Sequence, residues 1–160
     1  MERSGLIALP RPTNHTVKGP CLDFEAPTLA LKYDYQVDDG TIEWHTVIFD
    51  EVLAFSCLQS VCCDVEHNVD WNSVTSFSNS EWLTKILSKW SDAVGWQEFQ
   101  KRKGGKERFN HFRVYFDDVA CVDVIASVCE IFTPQPDSAS KCPSGVRIIP
   151  PPESGKGPFG

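Results

Sequence analysis

The sequence predicts an α+β fold, an antiparallel β-sheet of about five or six strands with one main helix packed on one face. Three observations carry this expectation. Residues 29–37 and 42–48 alternate apolar and polar side chains on either side of an Asp-Asp-Gly turn. Residues 110–132, "NHFRVYFDDVACVDVIASVCEIF", do the same around Asp117-Asp118. Between these halves, "SNSEWLTKILSKWSDAV" places its apolar residues at helical spacing.

In the first segment Leu29, Leu31, Tyr33, Tyr35 and Val37 share one face, against Ala30, Lys32, Asp34 and Gln36 on the other. Asp38-Asp39-Gly40 supplies turn chemistry, and Ile42, Trp44, Thr46 and Ile48 resume the alternation, which predicts an antiparallel hairpin. Asp50-Glu51 forms a second tight connection. "VLAFSCLQSVCCDV" then reads as a third strand, bent near Gln59-Ser60. The helix is expected over 79–94, started by a capping box of Ser78 and Glu81 and stopped by Gly95. Its stripe of Trp82, Leu83, Ile86, Leu87, Trp90 and Val94 should dock on the sheet.

Beyond the helix, Phe112, Val114 and Phe116 point one way and His111, Arg113 and Tyr115 the other, and Val122, Val124, Ala126 and Val128 form a further apolar row. Asp117-Asp118 sits at the join, where carboxylates cap turn amides. A turn explains the pair more economically than catalysis, which needs a protected cleft and a partner group.

At 160 residues the chain suits one domain with tails. Residues 133–160 hold seven of the eleven prolines and four of the ten glycines, and are expected to be an extended or disordered tail. Residues 1–20, with prolines at 10, 12 and 20, are expected to be an N-terminal arm, which leaves 21–132 as the single domain. The apolar run from Gly5 to Leu9 is too short for a signal peptide or a membrane span. Seven cysteines, an odd number set mostly in apolar runs, predict free thiols in a reducing, cytoplasmic setting.

Charge is uneven along the chain, whose net value is −7. Residues 21–80 carry eleven acids against the single Lys32, a net of −10. Residues 81–113 reverse this to +4, mostly through "KRKGGKER". The acidic half repels phosphate backbones and attracts a basic surface, and it equally serves as a solvated face that keeps a small protein soluble. The candidate partner-binding residues are Asp38, Asp39, Glu43, Asp50, Glu51, Asp64, Glu66 and Asp70. They imply a basic protein partner, with no direct nucleic-acid or membrane contact and an oligomeric state left open.

No phosphate-binding loop, dinucleotide glycine pattern, nucleophile elbow or HExxH is present. Cys57, Cys62, Cys63 and His67 offer zinc-binding atoms but lack a second knuckle, and buried thiols are the better reading. No catalytic residue, metal or cofactor is therefore expected. The Asn14-His15-Thr16 sequon is a three-residue match that a cytoplasmic chain would not use.

The segments "IEWHTVIFDEVLAF", "VTSFSNSEWLTKIL" and "HFRVYFDDVACVDVIASVCEIF", with Asn79-Ser80-Glu81-Trp82 and His111 through Ala126 as specific choices, span about 100 residues from Asp34 to Phe132. In their order and texture they resemble small bacterial immunity proteins of polymorphic and contact-dependent toxin systems. The resemblance implies a small α+β domain that blocks a toxin by binding it, without catalysis. Interfaces in such proteins vary with the toxin, so no site residue carries over, and the Pro-rich tail departs from the pattern. Masking a basic active site such as a nuclease's also suits the acidic half. A small structural or assembly component whose tails order on neighbours is the alternative, and an enzyme using the cysteines is the third class.

Overall fold

The computed structural model describes residues 3–59, 70–91, 108–116, 120–132 and 146–147, the side chains of His15, Trp90, Ser91, Val146 and Arg147 excepted. Chain order runs β1 (Arg3–Ala8), a 3₁₀ turn (Thr13–His15), β2 (Cys21–Glu25), β3 (Thr28–Gln36), β4 (Ile42–Asp50), β5 (Ala54–Gln59), β6 (Ser73–Phe77), α1 (Glu81–Ser91), β7 (Asn110–Phe116), β8 (Ala120–Ala126), β9 (Val128–Phe132) and β10 (Val146–Arg147). The strands form two five-stranded antiparallel sheets, β1-β6-β7-β8-β5 and β10-β2-β3-β4-β9. This corrects the expectation of a single sheet of five or six strands, while the antiparallel pairing and the helix on one face hold.

The β3–β4 hairpin forms at the expected turn. Its closure is local: the Val37 N–H donates to the Thr41 carbonyl at 2.9 Å and the Gly40 N–H to the Val37 carbonyl at 2.8 Å. Gly40 takes φ +84°, which only glycine adopts without strain. Alternation then sends Leu29, Leu31, Tyr33, Val47 and Phe49 to full burial on one face.

Two places redirect strands that read as continuations. At Glu51, φ +54°, the chain turns out of the second sheet, and β5 pairs with β8 in the first instead of extending the hairpin. At Ser127 it crosses back, so β8 lies in the first sheet and β9 beside β4 in the second. The Ser127 N–H donates to the Asp50 carbonyl at 3.1 Å, fastening the two crossings together. Changing sheets reverses which parity faces inward. Val128, expected in the buried row, is thus 39 % exposed, while its neighbours Cys129 and Ile131 pack on the core.

The core lies between the sheets. Phe112, Val114, Phe116, Val122, Val124 and Ala126 of the first meet the buried face of the second. Phe49 and Phe112 rings sit 5.7 Å apart, Tyr33 and Phe116 rings 5.9 Å apart. Residues 3–20 are no arm: β1 pairs with β6, Leu9 joins the core, and Thr13, fully buried, donates its hydroxyl to the Tyr115 and Trp71 carbonyls. Of the expected tail, Val146–Arg147 pairs with β2.

Helix α1 covers the outer face of the first sheet, where Leu83, Phe109 and Ile125 form a second small core with Leu53, Trp82, Ile86 and Leu87 packed against it. Trp82 and Ile86, expected to be buried, are half-buried there. The side chain of Trp90, with Val94 and the Gly95 stop, lies outside the described residues. The N-cap is Ser80 and not Ser78: Ser80 Oγ accepts from the Leu83 N–H at 3.0 Å, and Ser78 is exposed. Ser80→Ala should therefore cost about 1–2 kcal/mol and Ser78→Ala within roughly 0.5 kcal/mol, as read by urea denaturation.

Candidate functional site

Of the eight acids expected to meet a partner, the six that are described stand at separate places along the fold. Asp38 and Asp39 are exposed at the β3–β4 turn, and Glu43 begins the return strand. Asp50 and Glu51 stand at the other end of β4, and a strand rising about 3.3 Å per residue puts roughly 23 Å between Glu43 and Asp50. Asp70 accepts from the Asn72 N–H at 2.9 Å just before β6. Asp64 and Glu66 lie outside the described residues.

Several of these carboxylates are engaged within the fold. Glu43 Oε2 accepts from Arg11 Nε at 3.1 Å and lies 3.5 Å from His45 Nε2, and the Arg11 hydrogen bond holds the Glu43 carboxyl below its ordinary range. Burial depresses the His45 imidazole, with Glu43 pulling the other way. Neither His45 nitrogen makes a hydrogen bond among the described residues. Asp50 accepts from the Thr28 hydroxyl at 2.6 Å. Glu51 accepts from Ser127 Oγ at 2.6 Å and pairs with Arg108 at 2.5 Å, holding the two sheet crossings together. Asp39 accepts from the Thr41 N–H at 2.8 Å, which stiffens the turn that carries Asp38, and the Thr41 side chain together with that N–H lowers the Asp39 pKa.

Sequence reasoning missed a second constellation, on the first sheet's outer face. His111 and Arg113 on β7 and Asp123 on β8 point outward beneath α1, with Arg113 directly opposite Asp123. Arg113 grips the Asp123 carboxylate with two donors, Nε to Oδ1 at 2.6 Å and a terminal nitrogen to Oδ2 at 3.1 Å. His111 Nε2 lies 2.7 Å from Asp123 Oδ1, and His111 Nδ1 lies 2.9 Å from Ser80 Oγ. Every polar atom is paired when His111 Nε2–H donates to the carboxylate and the Ser80 hydroxyl donates to Nδ1. Burial opposes ionisation of Asp123, but the hydrogen bonds from His111 and Arg113 and the Arg113 charge outweigh it and hold the carboxyl below its ordinary 3.8. Burial likewise works against the Arg113 charge, and Asp123 more than offsets it.

Ser80, His111 and Asp123 follow one another as in a hydrolytic relay, yet the geometry favours a structural clamp. Ser80 and His111 are 1 % and 2 % exposed, so the hydroxyl meets no solvent, and its oxygen already caps the helix. The Arg113 fork also neutralises the carboxylate that would support a basic imidazole. The clamp joins the start of α1 to the centre of the sheet. Alternation had placed His111 and Arg113 on this face, but Asp123 becomes their partner only through the β7–β8 register.

Among the described residues no disulfide joins Cys21, Cys57, Cys121 and Cys129, and burial pushes the Cys129 thiol up to about 12. Cys62, Cys63, Cys142 and His67 lie outside the described residues, as does the Asp117-Asp118 join between the paired Phe116 and Ala120. Among the described residues no group of three His, Cys, Asp or Glu is placed to hold a metal, and no helix is long and apolar enough to cross a membrane. No protein-family model, curated protein or solved structure matches the chain.

Proposed function

We propose that the protein is a non-catalytic binding domain, an acidic inhibitor of the immunity-protein kind that neutralises a basic toxin by masking its active site. The observation that carries this reading is the Asp38-Asp39 turn. It projects two exposed carboxylates from a closed, hydrogen-bonded hairpin within the acidic half of the chain. Charges held this way steer an oppositely charged partner during encounter at little entropic cost. Burial of the Ser80, His111 and Asp123 cluster also favours binding over hydrolysis.

The partner is sought by affinity capture from the native host and then purified. Asp38→Lys with Asp39→Lys should slow its association about tenfold at low salt and flatten the salt dependence, with the dissociation rate little changed. An acidic captured partner, or an association rate that the reversal does not alter, rejects the electrostatic account. Co-expression separates inhibitor from assembly component, since only an inhibitor restores growth of cells producing the partner.

A further inference from the structure

We infer that the outer face of the second sheet is the surface on which that basic partner docks, an assignment that rests on the proposed function and gives it a location. The two sheets are finished differently. The outer face of the first carries α1 and the buried clamp, whereas the second leaves most outward side chains of β3, β4 and β9 half-buried or exposed, with Cys21 and Asp34, which accepts from the Val17 and Lys18 N–H groups, buried at one end.

Register defines the face. The even-numbered residues of β3, β4 and β9 and the odd-numbered residues of β2 point away from the core, because Leu29, Leu31, Val47 and Phe49 point into it. One row crosses four strands as Asp23, Ala30, Ile48 and Glu130. The next runs Lys32, Thr46 and Phe132, with half-buried Trp44 one position further along β4. Phe132 is 52 % exposed and Val128 39 %, so β9 presents two large apolar side chains on this side.

Charge selects the occupant. Asp23, Glu25 and Glu130 rim the face, and Lys32, the cation on it among the described side chains, is held 3.4 Å from Asp23. Between Asp23 and Glu25 the β2–β3 hairpin leaves an open hollow of about 420 Å³, closed by Ala26, Pro27, Thr28 and Ala30. Walls of small side chains and two carboxylates fit a lysine or arginine inserted from the partner. An apolar patch running from Ile48 to Val128 and Phe132 on the β9 edge, across the face from an acidic hollow, therefore fits a basic protein surface that also presents an aromatic or aliphatic anchor. The Asp38-Asp39 turn acts before contact and this face holds the complex afterwards.

The probe is a library of random phage-displayed peptides panned on the full chain, read together with hydroxyl-radical footprinting of Trp44 and Phe132. Both residues should be labelled in the free protein. Selected peptides should combine Lys or Arg with an aromatic or aliphatic residue and should protect Trp44 and Phe132 on binding. They should lose about tenfold in affinity for Phe132→Ser and for Asp23→Lys with Glu25→Lys. Protection of Trp44 and Phe132 already in the free chain overturns the inference, because residues 133–145 or a second copy would then cover the face. Recovery of no peptide overturns it as well. Basic peptides that bind without protecting the face overturn the location and leave the basic-partner reading standing; acidic peptides that protect it reject the partner's charge.

Discussion

Asp123→Ala should destabilise the protein by about 3–5 kcal/mol, because it leaves the Arg113 guanidinium buried without its counter-ion. For a chain of this size that corresponds to a fall of roughly 10 °C in Tm, read by calorimetry. The loss belongs to the orphaned charge and not to the pair as such. Arg113→Met with Asp123→Asn removes both charges yet keeps an amide oxygen for the His111 N–H, and should recover most of it. If the double variant is as unstable as Asp123→Ala, the clamp acts through something other than charge pairing. The pH dependence is set by the direction of the Asp123 shift. Its folded-state pKa lies below 3.8, so its contribution is complete above about pH 4 and disappears as pH falls through the folded value. Asp123→Asn should accordingly flatten the acid limb of the stability curve below about pH 4.

Phe49→Ala should cost about 3–5 kcal/mol for a different reason, the cavity left between the sheets. Phe49 is fully buried and its ring lies 5.7 Å from that of Phe112 on the opposite sheet. A double-mutant cycle with Phe112→Ala should return a coupling of roughly 0.5–1.5 kcal/mol, since aromatic pairs contribute beyond their separate burial. Equilibrium urea denaturation of the four proteins measures it. A loss below about 1 kcal/mol for Phe49→Ala, or no coupling, would contradict face-to-face packing of the two sheets.

Local chemistry was legible from the amino-acid order alone. Period-two alternation identified β3, β4, β7 and β8, Gly40 and its two aspartates marked the hairpin turn, and the apolar stripe placed α1. These depend on side-chain spacing and backbone preference within a few residues, and tertiary context had little to override. The charge of the front half was likewise plain, but its arrangement was not, because nothing in the spacing says that Glu43 would turn to Arg11, or Glu51 to Arg108 and Ser127.

Only the tertiary structure decided which strands share a sheet. A strand's alternation shows that it has a buried face, and it is silent about the partner against which that face packs. The crossing at Glu51 takes three residues and that at Ser127 one, and each redirects the next strand: β5 leaves the hairpin for β8, and Val128 at the start of β9 moves from the core to solvent. The Ser80, His111, Arg113 and Asp123 clamp joins a helix start to two strands across as many as 43 sequence positions, and β1 reaches its partner across about 70. Such contacts form because closing a long loop costs only slightly more than closing a short one, so burial and pairing choose the partner with little regard to its distance along the chain.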